Sequence, residues 1–191
     1  MGKRLVTKTL IKFLTLFFCM TSSVGWSLEY KDLVKRDEVY YEKFSDVPFT
    51  GKIAGQEQGS FKNGKEDGSW VSYWDNGQLR YKTYYKNGKK EGSWFNYWKD
   101  GQLYSKGKFK NGKKEGSWIS YHENGQLLSK GDWYDGKKDG SHVKYWGNGQ
   151  LWIKGNSKNG NRDGYWVWYN RDGTVWTENT GTYKDGKKIS D

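Results

Sequence analysis

Gly92 to Glu115 reads GSWFNYWKDGQLYSKGKFKNGKKE. Its first residue recurs: Gly68, Gly92, Gly116, Gly140 and Gly164 stand 24 residues apart, and the pattern after each recurs with them. Upstream, Gly59, Phe61 and Gly64 match the later half of such a unit. Downstream, a last unit fits once two residues are inserted between Gly173 and Gly186. A fixed period of this length marks a repeat architecture, in which one unit cannot bury its own apolar face and its neighbours do so.

Each unit holds two turn signals. One is Asn76-Gly77, Asp100-Gly101, Asn124-Gly125, Asn148-Gly149 and Asp172-Gly173; the other is Asn63-Gly64, Asn87-Gly88, Asn111-Gly112, Asp135-Gly136, Asn159-Gly160 and Asp185-Gly186. Such dipeptides suit the left-handed conformations of tight hairpin turns. Short runs rich in Trp, Tyr, Val and Ile lie between them, as strands require. The expected fold is all-β: an elongated, open antiparallel β-meander of 24-residue hairpin repeats forming one twisted, single-layer sheet. About eleven strands at roughly 4.8 Å would make it roughly 50 Å across.

Two-residue turns would set Trp70 opposite Thr83, Val71 opposite Lys82, Ser72 opposite Tyr81, Tyr73 opposite Arg80 and Trp74 opposite Leu79. Trp94 would then cover Gly107, and Trp118 would cover Gly131. Side chains alternate, so one face collects Trp70, Trp74, Leu79 and Tyr85 with their equivalents, and the other collects Val71, Tyr73 and Lys82 with theirs. A three-residue turn with a bulge would shift this register.

The rest of the chain frames the array. Lys3, Arg4, Lys8 and Lys12, then the apolar run Phe13–Met20, then small and polar residues to Ser27 have the layout of a secretory signal peptide at 1–27. Residues 28–50 are charged and irregular and are expected to cap the array at 51–191. Cys19 is the one cysteine, so an exported chain would carry no disulfide. Removing 1–27 leaves 29 basic against 22 acidic residues, a net charge of +7. That favours an anionic surface but is a weak nucleic-acid signal, and export argues further against nucleic acid.

The residues carry little catalytic chemistry. His122 and His142 replace tryptophans within aromatic columns, and neither a metal cluster nor a nucleophile–base arrangement stands out beyond the signal region. Asp67, Glu91, Glu115, Asp139 and Asp163 recur by position and read as loop solvation. Neither an enzyme nor a cofactor is expected. The candidate ligand contacts are two columns on one face: Tyr73, Tyr97, Tyr121, Tyr145 and Tyr169 with Lys82, Lys106, Lys130 and Lys154. A repeated aromatic-and-cation strip suits an extended or polymeric partner.

The spacing GSWxxYxxNGQLxxKGxxKNGKKE, with VPFTGKI before it and GTYKDGKK after it, resembles the MORN-repeat variant of bacterial YwqK-like proteins over about residues 40–191. That resemblance implies hairpin rods used as scaffolds, dimerisation modules or lipid and protein contact surfaces, and it carries an antitoxin label. The expected function is an exported, periplasmic or extracellular interaction scaffold without enzymatic activity. An antitoxin of a toxin–antitoxin pair and a cell-wall glycan or anionic lipid binder are the alternatives. The first expected partner is a protein, and the aromatic sheet face is open to a second copy of the chain.

Overall fold

The computed structural model describes residues 27–191; of the expected signal peptide, all but Ser27 lies outside the described residues. A 3₁₀ turn at Tyr30–Asp32 precedes the strands β1 (Leu33–Arg36), β2 (Val39–Glu42), β3 (Gly51–Ile53), β4 (Glu57–Lys62), β5 (Lys65–Glu66), β6 (Gly68–Tyr73), β7 (Leu79–Lys86) and β8 (Lys89–Tyr97). Then follow β9 (Leu103–Lys110), β10 (Lys113–Tyr121), β11 (Leu127–Tyr134), β12 (Lys137–Tyr145), β13 (Leu151–Lys158), β14 (Asn161–Trp168), β15 (Gly181–Lys184) and β16 (Lys187–Ser190). β1 and β2 form their own hairpin. All others join one open meander of fourteen strands in chain order, with the stub β5 beside β4. No helix among the described residues is long and apolar enough to cross a membrane.

The two turn signals fold differently. At Asn87-Gly88 both residues have positive φ, 50° and 76°, and Lys86 pairs with Lys89: a two-residue turn whose twist matches the strands. At the other end the Gly77 N–H donates to the Trp74 carbonyl at 2.9 Å, the Trp74 N–H donates to the Gln78 carbonyl, and only Gly77 is left-handed. That is a three-residue loop closed by a glycine bulge. It sets Tyr73 opposite Leu79, not Arg80. A second bulge at Arg80 then returns Ser72, Val71 and Trp70 to the expected partners. The next hairpins repeat this.

The bulge re-sorts the faces, because residues on its two sides lose strict alternation. Leu79 and its equivalents join the Tyr73 face instead of the Trp face. The inserted residue takes their place beside Trp74: the Arg80 guanidinium lies 4.8 Å from the Trp74 ring, Tyr104 packs on Trp98 at 4.3 Å, and Trp152 stacks on Trp146 at 4.5 Å.

A further bulge joins one hairpin to the next. Glu91 pairs with Tyr84 and Phe95 with Lys82, so Gly92, Ser93 and Trp94 stand opposite Thr83 alone. Gly92 accommodates this at φ 72°, where a side chain would be strained. The offset pushes each Trp over the strand before it. A Cβ on Gly107 would meet Trp118 at 2.3 Å, and one on Gly131 would meet His142 at 2.0 Å. Trp94 and Trp118 do pair with Gly107 and Gly131 in register. The rings that cover those glycines nevertheless come from the opposite neighbour.

Four of the five acids in the column, all but Asp163, have a structural task beyond loop solvation. Glu91 accepts from the Asn111 N–H at 2.8 Å, and Asp139 from the Asn159 N–H at 2.9 Å; Asp67 and Glu115 hold the turns at Asn87 and Asp135 in the same way. Each acid ties the next unit's turn to its own.

Buried clusters form at the ends. Leu33, Tyr40 and Phe49 pack with Ile53, Phe61 and Trp70 at the N-terminal end, and Trp166, Trp168 and Tyr183 pack with Ile153 at the other. Between them the Trp face is open.

Candidate ligand-binding trough

The residue two places after each Asn-Gly or Asp-Gly turn of the Lys86–Lys89 type is drawn onto the Trp face by its pairing. Lys90 stands opposite Tyr85, Lys114 opposite Phe109, Lys138 opposite Trp133 and Arg162 opposite Ser157. These cations rise one per repeat. The column begins with Glu66, opposite Phe61, so the N-terminal end of the face is acidic. There, burial and the Glu57 carboxylate push the Tyr81 hydroxyl up to about 12.

Rings hold the cations in place. The Lys114 ammonium is 4.2 Å from the Trp118 ring and 4.5 Å from Trp133; Lys90 is 5.3 Å from Phe109, and Lys138 is 6.0 Å from Trp133. The Arg162 guanidinium lies 4.7 Å from Trp168 and 5.2 Å from Tyr183. None of the four joins an ion pair among the described residues. Burial lowers the pKa of Lys90, Lys114 and Lys138 from the ordinary lysine value, and like charges add to this: Lys138 acts on Lys114, and Lys144 and Arg162 act on Lys138. The three lysines are partly dehydrated positive charges without counter-charge, and the exposed Arg162 continues their row.

Rings and three of these cations, Lys114, Lys138 and Arg162, line a trough of about 500 Å³ running from Trp94 to Trp168, with Lys144 as a further cation in its wall. Ser105, Ser120, Ser129 and Ser157 add hydroxyls to its wall. In its floor Trp118 and His142 are only 8% and 9% exposed, and their Nε1 and Nε2 have no hydrogen-bond partner. His142 stacks on Trp166 at 6.4 Å, and burial lowers its pKa from the ordinary histidine value. A second hollow lies between Trp74 and Trp98 at the three-residue loops. No group of His, Cys, Asp or Glu suited to a metal occurs among the described residues.

The tyrosines and lysines singled out from sequence lie together on the opposite face. Tyr73, Tyr97, Tyr121 and Tyr145 pair with Leu79, Leu103, Leu127 and Leu151, and Tyr169 bridges to Val175. Lys82 sits between Val71 and Phe95, Lys106 between Phe95 and Ile119, Lys130 between Ile119 and Val143, and Lys154 between Val143 and Val167. Their tyrosine rings are half-buried by the leucines that the bulge moved to this side. Sequence reasoning missed the Lys90 column, although its signal was present: Tyr85 belongs to the Trp face, and a two-residue turn at Asn87-Gly88 sets Lys90 opposite it.

Among solved structures, the crystal structure of the GtfA/B complex bound to UDP and GlcNAc is similar at 14% identity and a TM-score of 0.19. The match covers 90% of this chain, which spans 29% of the length of that one. No curated protein matches the sequence. None of these comparisons points to the YwqK-like antitoxin group. The family described as MORN repeat variant matches residues 66–87, 90–111, 114–133 and 138–159, each spanning one three-residue loop and the strands it joins, with the two-residue turns at the ends of the matches. Four repeats of the MORN variant thus lie within residues 66–159 of the chain.

Proposed function

We propose that this protein is an exported, non-enzymatic binding module that takes an extended anionic partner along the trough of its Trp face. MORN-type repeats generally serve as binding or scaffold modules, and this array offers a place for one. The observation that carries the reading is the unpaired row Lys90, Lys114, Lys138 and Arg162, held over aromatic rings. Partly buried charges without counter-charge weaken a fold. An anionic partner converts that cost into affinity. The hairpin at 28–50 serves as the cap, because its Leu33, Tyr40 and Phe49 cover the first repeat's Trp70.

The test is titration of the full array with dextran sulfate at two salt concentrations. The quadruple variant K90Q/K114Q/K138Q/R162Q is compared with the opposite-face variant K82Q/K106Q/K154Q. Binding should weaken with salt, as contacts between exposed charges do, and collapse only in the first variant. Loss in the second variant alone would move the site to the Tyr/Lys face.

A further inference from the structure

We infer that the trough's ligand is an acidic polysaccharide with one carboxylate per disaccharide, its β-linked chain lying across the strands along the cation row. This rests on the Trp face being the binding site.

The pitch comes first. Each repeat adds two strands, so at ~4.8 Å per strand the cations recur about every 10 Å. A ligand that meets several of them must carry negative charge at a matching, stiffly maintained interval. An extended peptide rises ~3.3 Å per residue and returns to the same side about every 6.6 Å. Its same-side carboxylates miss the second cation and come back into step only at every other one, about 20 Å along. A β-linked glycan of alternating acidic and neutral sugars repeats near the cation pitch and is stiffened by its rings.

The lining between cations agrees. A neutral sugar placed between two bound carboxylates needs apolar surface for its C–H faces and polar groups for its hydroxyls. The trough supplies both: the Trp118 and Trp133 rings flank Lys114, and the Ser120 and Ser129 hydroxyls lie 2.5 Å apart beside them. Trp118 Nε1 and His142 Nε2 lie unpartnered in the floor.

The placement also disfavours a flat anionic surface. Lys90, Lys114 and Lys138 are partly buried against rings and only Arg162 of the row is exposed, whereas on the opposite face Lys82, Lys130 and Lys154 are exposed and only Lys106 is partly buried. A bilayer would meet the exposed set; a single chain fits the recessed one.

The experiment titrates the full array by calorimetry with hyaluronan oligosaccharides, which carry a carboxylate on every second sugar. Chitin oligosaccharides of equal length and poly-glutamate are the comparisons. Affinity for hyaluronan should climb with length until the chain spans four cations, then level off. Chitin should bind far more weakly. K114Q and K138Q should each lower hyaluronan affinity roughly tenfold or more, as for loss of a charged hydrogen bond; K154Q should leave it unchanged. Circular dichroism of each variant separates lost binding from lost fold, and W133L, which removes a ring but no charge, gives an independent weakening. Poly-glutamate binding as tightly as hyaluronan, or chitin doing so, overturns the glycan inference while the trough remains the site. Indifference of every ligand to K114Q and K138Q overturns the site itself.

Discussion

Alanine at Gly107 tests the packing on which both the register and the trough rest. A Cβ there would come within 2.3 Å of Cδ2 and Cε2 of Trp118, whereas carbon atoms settle at about 3.5–4.0 Å. The ring must retreat by more than about an ångström, and it is not free to do so. Trp118 packs against Phe109 at 5.1 Å and Trp94 at 5.2 Å. Overpacking of this kind costs about 1–3 kcal/mol. Alanine's narrower unfolded ensemble returns about 0.4–1 kcal/mol. The net loss should be about 1–2 kcal/mol, a fall in Tm of about 2–8 °C at this chain length. A double-mutant cycle assigns the clash. In a W118A background the G107A change should become neutral or mildly stabilising, a coupling of about 1–2 kcal/mol; in a W94A background its cost should persist. Urea melts followed by far-UV circular dichroism measure all the variants. Relief by W94A and not by W118A would refute the offset packing, and with it the placement of the trough floor.

Other perturbations read the remaining links. His142 has a folded pKa below the unfolded value, so the unfolded chain takes up the proton first; stability present above pH about 6.5 should drain as pH falls through the window beneath it. H142W should flatten that window in melts at stepped pH. K114M should raise stability at neutral pH, because burial penalises the charged lysine, and the advantage should fade as pH rises toward the ordinary lysine value. The same variant should bind hyaluronan more weakly, so stability and affinity move in opposite directions. E91A removes the 2.8 Å acceptor of the Asn111 N–H and should cost about 0.5–1.5 kcal/mol, visible as faster hydrogen exchange at that amide.

The period, the meander and most strand pairs were legible because glycines at fixed spacing and alternating aromatics act locally. Trp70 does meet Thr83, and Trp94 does meet Gly107. What stayed hidden is how two similar dipeptides make different turns. Asn76-Gly77 and Asn87-Gly88 read alike, yet only the second has both residues left-handed. In the first unit the preceding Asp75 enters the loop, and the Asn76 side chain caps the Gln78 N–H at 3.1 Å. The Asn76 amide also donates to the Lys99 carbonyl of the next unit at 2.7 Å, a contact that no local pattern announces. One bulge then exchanged Leu79 for Arg80 on the Trp face. The Lys90 column stayed hidden for a related reason: tyrosines with lysines look like a binding strip, whereas the second lysine of NGKK looks like turn solvation until its pairing is followed.

A single-layer sheet must decide what covers its apolar face. At the ends this chain answers with its own residues, burying Trp70 under the 28–50 hairpin and Trp166 beside Tyr183. Along β8–β13 it answers with lysines, whose side chains cover the rings and whose ammonium groups lie over them. That arrangement also selects the partner. A second copy laid on this face in the same sense would bring one cation row against another, with little counter-charge before the acidic end at Glu57 and Glu66. Pairing of two copies in register would therefore set like charges face to face, which the proposed anionic ligand would not. On that proposal, the charge row makes the sheet specific for a chain whose negative charges recur at the repeat's own pitch.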